Sequence, residues 1–323
     1  MPSWPADAAP DRLAGAHPAL PAQLLTADPS VVVVVGPTGI GKSSLAFELA
    51  LALPGEIVVA DSRQVYRMLD IATNKPLPEH RDRVAYHMID FVDPREGFDA
   101  AQYVDGARAA IDHIRRRGLT PVVEGGTMLY VDALTEGFNM AGVAPDRALR
   151  AELEQLSPDE MRRRLLMIDP DPGVDLQNPV RMIRAIEVLT AAGPPLRRLR
   201  QRHKPPWNVI RIGLTAPLEV IDQRLADRSR MQVERGVVAE TQSALDAGVP
   251  ANAPVLTGIG YAEALAHIRG EVSLEDLPSS MAASNRRYAR RQLRWWRRDP
   301  SITWFEIDPD PLPAILNYVR GVG

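Results

Sequence analysis

The sequence predicts an α/β fold in which helices flank a parallel sheet and a helical insertion interrupts that core. Two observations predict it. Over most of the chain, short apolar runs of strand length alternate with helical stretches, as in sheets whose parallel strands are joined by crossover helices. From about Phe138 to Pro206 this alternation stops, and prolines separate short helical pieces without convincing strands.

The individual elements follow in chain order. We predict strands at Val31–Val35, Glu56–Ala60, Tyr86–Ile89, Thr120–Glu124, Val209–Leu214 and Ile302–Ile307. We predict helices at Lys42–Leu53, Ala100–Arg117, Leu218–Asp246 and Ser279–Arg298, the third of them broken near Gly236. The chain then divides into a disordered extension rich in Pro and Ala (1–29), an α/β core (30–137 and 207–323) and a helical insertion (138–206).

Composition indicates an ordinary globular protein with a substantial core. The 323 residues are 45% hydrophobic and 24% charged, and the net charge is only −3, so any nucleic-acid surface has to be a local patch. Cysteine is absent, which excludes disulfides, thiolate zinc sites and a cysteine nucleophile. The apolar runs are shorter than the ~20 residues of a membrane span. We therefore expect a cytoplasmic protein without membrane segments, and nothing in the sequence requires more than a monomer.

A phosphate-binding loop follows the first predicted strand. It consists of Gly36, Pro37, Thr38, Gly39, Ile40, Gly41, Lys42 and Ser43, which match the pattern G-x-x-x-x-G-K-[ST]. Glycines in this pattern allow successive backbone N–H groups to point at one polyphosphate, and the next helix directs its positive end at the same oxygens. Lys42 supplies a positive charge, and Ser43 supplies a hydroxyl for Mg²⁺. The core is thus predicted to be P-loop NTPase-like.

An aspartate, Asp61, follows the second predicted strand. The carboxyl end of a strand in a parallel sheet faces the ligand crevice, so Asp61 is expected beside the phosphate loop. As a Walker-B-like residue it would hold Mg²⁺ through water, and as a general base or acceptor it would engage a substrate N–H or O–H. A structural alternative is that Asp61 caps the following turn.

Several further segments give the chain a family resemblance. They are Asp61-Ser-Arg-Gln-Val-Tyr66, Asp70-Ile-Ala-Thr-Asn-Lys-Pro76, His87-Met-Ile-Asp90, Gly125-Gly-Thr-Met-Leu-Tyr130, Asn178-Pro-Val-Arg-Met-Ile-Arg-Ala-Ile-Glu-Val188, Gly258-Ile-Gly-Tyr261 and Arg287-Tyr-Ala-Arg-Arg-Gln-Leu-Arg-Trp-Trp296. In this order they closely resemble the tRNA dimethylallyltransferase family, also called tRNA isopentenyltransferases, in its bacterial form. The resemblance extends from about Val31 to Arg298.

The resemblance implies an activity and its partners. A dimethylallyl group would pass from dimethylallyl diphosphate to the exocyclic amine of the adenosine 3′-adjacent to the anticodon, forming isopentenyladenosine and releasing diphosphate. The expected partners are dimethylallyl diphosphate and the anticodon stem-loop of a tRNA, with Mg²⁺ as the cofactor. The phosphate loop would hold the leaving diphosphate and stabilise the charge that grows on it.

The resemblance also implies roles for individual residues. Asp61 would accept the proton of the adenine amine, while Thr38, Thr127 and Arg228 would lie near the diphosphate and the reacting centre. Arg224 is four residues from Arg228 and shares its helical face, where both can grip phosphate oxygens. The positions expected to contact tRNA are Asp61, Ser62, Arg63, Gln64, Thr127, Arg150, Arg181, Arg184, Gly258, Gly260, Tyr261, Arg287, Arg290, Arg291 and Arg294.

The last long helix adds a basic surface. Arginines at 286, 290, 294 and 297 form a stripe that can follow RNA phosphates, although a solvated face is the structural alternative. Trp295 and Trp296 could stack on RNA bases. Tryptophans at a helix end are more often core residues, which is the structural alternative. Glu124 could contact a substrate group, bind a metal-bound water or pair with a core arginine. The sequence does not assign its role.

Three other functions remain open from the sequence. A P-loop kinase acting on a small molecule would use the same loop, but this function does not explain the insertion or the basic helix. A nucleotide-gated RNA-binding module without chemistry would not need Asp61. An adenylate isopentenyltransferase would share the pocket but has less use for an RNA-binding insertion.

Overall fold

The structure is a computed structural model that describes residues 30–138, 143, 146–196 and 203–322. The predicted disordered extension, residues 1–29, lies outside these described residues. The chain forms two compact units. The first contains the described residues up to Val131 and those from Pro206 onward, and the second runs from Asp132 to Pro205.

The first unit is built on a six-stranded sheet in which all neighbouring strands are parallel. The strands are β1 (Val31–Val35), β2 (Gly55–Val59), β3 (Tyr86–His87), β4 (Thr120–Glu124), β5 (Val209–Thr215) and β6 (Ile302–Glu306), in the spatial order β3-β2-β4-β1-β5-β6. The predicted α/β class is confirmed. Every valine of β1 is at most 1% exposed, which explains why this strand is a continuous apolar run.

Strand β3 is two residues shorter than the sequence predicts. We expected β3 to reach Ile89, but it ends at His87. Met88 and Asp90 have φ angles of 62° and 58°, in the left-handed region that cannot continue a strand. The prediction failed because an apolar run does not reveal a backbone reversal.

The first unit also contains helices between and after the strands. They are α1 (Lys42–Ala52), α2 (Pro78–Arg81), α3 (Ala100–Arg116), α4 (Met128–Glu136, which continues into the second unit), α8 (Leu218–Glu234), α9 (Val237–Asp246), α10 (Tyr261–Ile268), α11 (Leu277–Trp296) and α12 (Leu312–Val322). The break predicted near Gly236 is present, because this glycine has a φ of 91° between α8 and α9. The last long helix begins at Leu277 rather than at Ser279.

The second unit contains helices α5 (Arg147–Leu153), α6 (Pro158–Ile168) and α7 (Pro179–Ala192). Two of its prolines mark helix starts. Ser157 caps α6 through the Glu160 amide, Asn178 caps α7, and each cap residue is followed by proline at the first helical position. The unit has its own apolar core, which includes Leu153, Leu165, Met182, Ile186 and Leu189.

No helix in the described part of the chain is both long enough and apolar enough to cross a membrane.

Candidate active site at the carboxyl ends of the strands

The phosphate loop adopts backbone angles that only glycine takes without strain. Gly36, Gly39 and Gly41 have φ angles of 143°, 81° and 105°. The first two also allow close packing, because a Cβ on Gly36 would lie 2.8 Å from the Leu214 carbonyl oxygen and one on Gly39 would lie 2.7 Å from the Leu225 side chain. The loop is therefore fixed between β1, β5 and α8.

Two charged side chains are buried at the end of this loop. Lys42 donates from Nζ to the Pro37 carbonyl oxygen at 3.0 Å and is 8% exposed. Glu124, the last residue of β4, is 3% exposed, and its Oε2 accepts a hydrogen bond from the Ser43 hydroxyl at 3.2 Å. Burial lowers the pKa of Lys42 to about 8 and raises the pKa of Glu124 to about 7, while attraction between the two groups opposes both shifts.

Glu124 is the functional candidate that the sequence left unassigned. Its strand, β4, is the neighbour of β1, whereas the strand that delivers Asp61 is one place further away. The carboxylate that accepts a hydrogen bond from the Ser43 hydroxyl is Glu124, a position for which Asp61 was one candidate from the sequence. The sequence signal was an acidic residue ending an apolar strand before two glycines, but strand order was needed to interpret it.

Asp61 both caps a turn and faces the site. Its Oδ1 accepts hydrogen bonds from the backbone N–H of Arg63 at 2.8 Å and of Gln64 at 3.4 Å, which is the capping role considered as an alternative. The residue also lines the cavity described below. The adjacent Ser62 N–H donates to the Thr127 hydroxyl oxygen at 2.9 Å. Thr127 therefore ties the Asp61 turn to the turn after β4.

Two arginines of α8 reach the phosphate loop. Arg224 donates from Nη1 to the Ile40 carbonyl oxygen at 3.2 Å, and Arg228 donates from Nη1 to the Thr38 hydroxyl at 3.4 Å. Burial lowers the pKa of Arg228, and the negative charge of Asp61 opposes this effect. The shared helical face that the sequence predicts thus brings both guanidinium groups to the loop.

Helix α11 contributes two residues to the site that the sequence did not indicate. Gln292 accepts a hydrogen bond from the Thr38 N–H at 2.8 Å and donates from Nε2 to the Gly126 carbonyl oxygen, also at 2.8 Å. The Tyr288 hydroxyl donates to the same carbonyl at 2.7 Å. Neither residue stands out in the sequence, because both lie among arginines on a helix that appears simply basic.

These groups surround one cavity of about 410 Å³. Among the predicted residues it is lined by Thr38, Gly39, Gly41, Lys42, Ser43, Asp61, Gln64, Arg224 and Arg228, and it is also lined by Glu124, Tyr288, Gln292 and Met231. Thr127 is not among the described residues that line it. No group of three or more His, Cys, Asp or Glu side chains in the described ranges is arranged to hold a metal ion. Oxygen ligands for a cation are instead available from Ser43 and Glu124.

The Gly258–Tyr261 loop packs against the Asp61 loop. Arg63 donates to the Pro254 carbonyl oxygen and lies beside Gly258, where a Cβ would be 3.2 Å from the Arg63 Nε. Gly260 has a φ of 95°, and a Cβ there would lie 2.6 Å from the Ala72 side chain. The prediction that the Tyr261 side chain contacts tRNA does not fit this arrangement, because the residue is 1% exposed and its hydroxyl donates to Glu240.

The arginines of α11 differ in their environment. Arg287, Arg291 and Arg294 are exposed, whereas Arg290 forms a two-point ion pair with Asp222 through contacts of 2.8 and 3.0 Å. Trp296 is 2% exposed and is therefore a core residue, which excludes base stacking by this side chain. The exposed arginines leave a basic face on α11.

In the second unit, two of the predicted tRNA residues converge on a buried carboxylate. The Glu187 side chain is fully buried, and it accepts hydrogen bonds from Arg150 at 2.7 and 2.9 Å and from Arg184 at 3.4 Å. The side chains of Arg150 and Arg184 remain 40% and 36% exposed. Arg181 is more exposed, and its nearest acidic partner is Asp175 at 3.9 Å.

Comparison with known families assigns this chain to one of them. A family model described as IPP transferase matches residues 64–299, which is more than half of the chain. The chain belongs to the IPP transferase family. This membership confirms the resemblance of the ordered motifs, and the matched segment includes Glu124, Arg228 and Gln292.

Individual members of the IPP transferase family agree with this assignment. A tRNA dimethylallyltransferase from Thermomicrobium roseum is 41% identical over 283 residues, which cover 86% of each chain. The crystal structure of a full-length tRNA isopentenylpyrophosphate transferase from Bacillus halodurans is 35% identical, with a TM-score of 0.69 over 90% of this chain and 96% of that one. A eukaryotic dimethylallyltransferase acting on tRNA is 26% identical, with a TM-score of 0.76 over 90% of this chain and 78% of its own.

Proposed function

We propose that this chain transfers a dimethylallyl group from dimethylallyl diphosphate to the exocyclic amine of the adenosine 3′-adjacent to the anticodon of tRNAs. Isopentenyladenosine and diphosphate are the products. The observation that carries the proposal is the single cavity lined by both the phosphate loop and Asp61 in a member of the IPP transferase family. One cavity can hold the leaving diphosphate and the group that receives the amine proton.

The phosphate loop would hold the diphosphate. An exocyclic adenine amine is a weak nucleophile, so the enzyme has to help the allylic carbon separate from diphosphate while keeping the amine in line with it. Charge grows on the diphosphate as the carbon–oxygen bond breaks, and Lys42, Arg224 and Arg228 would stabilise that charge. The three side chains line the cavity, which supports this role.

The chemistry of the donor set fits Mg²⁺. Magnesium prefers oxygen ligands and is usually bound by one or two protein groups together with substrate phosphates and waters. Ser43 and Glu124 offer a hydroxyl and a carboxylate whose oxygens are 3.2 Å apart, so these two residues would hold the ion. When bound, the ion would neutralise charge on the diphosphate.

Asp61 would receive the proton of the adenine amine. Its Oδ1 is held by the two backbone N–H groups of the turn, which fixes the direction of the carboxylate. Because these bonds use one oxygen, the second oxygen can meet the substrate. The target base would leave its stack to reach this position, which costs a few kcal/mol and is cheapest in a single-stranded anticodon loop.

The exposed arginines would bind the RNA backbone. On α11 these are Arg287, Arg291 and Arg294, and in the second unit they are Arg150, Arg181 and Arg184. Guanidinium groups bind phosphate in a planar, two-point geometry, which suits this role. A cytoplasmic monomer stays a prediction from the sequence.

A single assay tests the proposed function. The protein is incubated with unmodified tRNA, Mg²⁺ and dimethylallyl diphosphate, and the digested nucleosides are then analysed by mass. We expect one dimethylallyl group on an adenosine of the tRNA. Parallel reactions with AMP and with ATP plus small-molecule acceptors test the alternatives. Prenylation of AMP but not tRNA, or phosphorylation without prenylation, would contradict the proposal.

A further inference from the structure

A buried glutamine joins the two halves of the active site. Gln292 on α11 is 0% exposed, and its amide group bonds the phosphate loop on one side and the turn after β4 on the other. The oxygen accepts the Thr38 N–H of the phosphate loop, and the nitrogen donates to the Gly126 carbonyl oxygen of the turn after β4, both at 2.8 Å. A carboxamide is suited to this position because it presents a donor and an acceptor in one rigid plane.

The turn at Gly126 is shaped to receive this side chain. A Cβ at Gly126 would lie 2.7 Å from the Gln292 Nε2, so a larger residue there would displace the Gln292 amide from this position. The Tyr288 hydroxyl donates to the same carbonyl at 2.7 Å. Both donors come from α11, one turn apart, and together they use the two lone pairs of the Gly126 oxygen.

The same turn leads to the predicted proton acceptor. Thr127 follows Gly126, and its hydroxyl accepts the N–H of Ser62, the residue next to Asp61. A path of hydrogen bonds therefore runs from the phosphate loop through Gln292 and the Gly126 turn to the Asp61 turn. Its three hydrogen bonds have donor–acceptor distances of 2.8, 2.8 and 2.9 Å, and covalent bonds of the chain connect one to the next.

We propose that Gln292 is a positioning residue that sets the phosphate loop relative to the Asp61 turn. This inference rests on the proposed function. In-line attack needs the amine and the allylic carbon in a defined geometry, and a misplacement of about 1 Å can cost on the order of 100-fold in rate. Gln292 need not touch the substrate to have this effect, because it bonds the loop that would hold the diphosphate.

The position of Gln292 on α11 separates this role from tRNA binding. The exposed arginines 287, 291 and 294 lie on the solvent side of the helix, whereas Gln292 and Tyr288 are on its inner side. Replacing Gln292 should therefore affect the chemistry and the use of dimethylallyl diphosphate without weakening tRNA binding.

The test compares Gln292→Met with the wild type and with a surface control. Methionine keeps the length of the side chain but removes both hydrogen bonds. Gln242→Met makes the same change at an exposed glutamine of α9, whose amide bonds only Asp246 in the contacts described. Measured quantities are kcat, KM for dimethylallyl diphosphate, Kd for tRNA and the thermal unfolding midpoint.

We expect Gln292→Met to lower kcat by roughly tenfold or more and to raise KM for dimethylallyl diphosphate, with Kd for tRNA within about twofold of the wild type. Gln242→Met should match the wild type in all four. If Gln292→Met does not fold, Gln292→Asn is measured against the same criteria, because it keeps an uncharged amide but is one methylene too short to reach both Thr38 and Gly126.

Two outcomes overturn the inference while leaving the proposed function intact. One is an active wild type together with a folded Gln292 variant of unchanged kcat and KM. The other is a variant whose Kd for tRNA rises in parallel with its loss of kcat, which indicates a general structural role. A wild type that prenylates no tRNA would instead contradict both the inference and the proposed function.

Discussion

The Ser43 hydroxyl donates a hydrogen bond to the Glu124 carboxylate at 3.2 Å, joining the end of the phosphate loop to the end of the neighbouring strand. The two residues are 81 positions apart in the sequence. Because Glu124 is buried beside Lys42, its charge acts within the cavity rather than in solvent. This pair is the site at which we propose that Mg²⁺ binds.

Replacing Glu124 should change the response to magnesium. Glu124→Gln removes the carboxylate ligand but keeps the shape of the side chain. We therefore expect the Mg²⁺ concentration for half-maximal activity to rise by roughly tenfold or more. Titration of prenyl transfer with MgCl₂ measures this. Glu48→Gln, which removes the same charge from an exposed position on α1, is the control. An unchanged titration would exclude Glu124 as a ligand.

Replacing Asp61 should separate chemistry from binding. Asp61→Asn keeps an oxygen to accept the N–H groups of Arg63 and Gln64 but cannot take a proton from the amine. We expect kcat to fall by roughly 100-fold or more, with tRNA affinity within about twofold of the wild type. Steady-state prenylation and filter binding measure the two quantities. A parallel loss of affinity and rate would indicate that Asp61 acts mainly as a turn cap.

The arginines of α11 should contribute unequally to tRNA binding. Arg291 and Arg294 are exposed, so Arg291→Ala and Arg294→Ala should each weaken binding and reduce the slope of log K against log salt concentration by about one. Arg290 is already paired with Asp222, so Arg290→Ala should change the slope less. The slopes are obtained from tRNA binding measured between about 50 and 200 mM salt, a range over which phosphate contacts weaken strongly.

The control for the α11 variants is Arg95→Ala, since Arg95 is an exposed arginine paired with Asp93. It should leave both affinity and salt slope unchanged. Equal slopes for all of the variants and the wild type would remove α11 from the RNA interface.

Glu187 should support tRNA binding without contacting RNA. It holds Arg150 and Arg184, whose outer surfaces remain partly exposed. Glu187→Gln weakens these ion pairs and should raise Kd for tRNA severalfold, while the KM for dimethylallyl diphosphate stays within about twofold because Glu187 does not line the cavity. Glu152→Gln, at an exposed glutamate paired with Arg164, is the matched control. An unchanged Kd would show that the arginines need no buried anchor.

The stability of the first unit should fall in acid because of Glu56. Burial raises the pKa of this carboxyl, but hydrogen bonds from His87 and Arg117 outweigh burial and lower the pKa to about 2. A depressed carboxyl pKa contributes stability that is present above the unfolded value of 4.5 and is lost as pH falls toward about 2. Glu56→Gln should therefore destabilise the protein by roughly 1–3 kcal/mol at neutral pH and flatten the acid limb.

Urea unfolding between pH 7 and pH 3 measures the contribution of Glu56. Glu79→Gln, at an exposed glutamate of α2, controls for the loss of one carboxylate. If the wild type and Glu56→Gln lose stability in parallel as pH falls, the group responsible for the acid limb is not Glu56.

Local sequence determined the features that depend on neighbouring residues. Five valines followed by correctly spaced glycines define a buried strand and a phosphate loop, because both the burial and the backbone angles are properties of that segment. Asp61 after an apolar strand, and the arginine run of α11, were also evident. Glycine predicted the break at Gly236, since its conformational freedom is a local property.

Only the tertiary structure decided which distant groups meet. Strand order placed Glu124, rather than Asp61, beside Ser43, and the packing of α11 brought Gln292 to Thr38, 254 positions away. Packing also buried Tyr261 and Trp296, whose residue types suit either a core or an RNA surface. Periodicity reports which face of an element is apolar, but partners across the fold depend on the order of strands and on the docking of helices, which no local pattern contains.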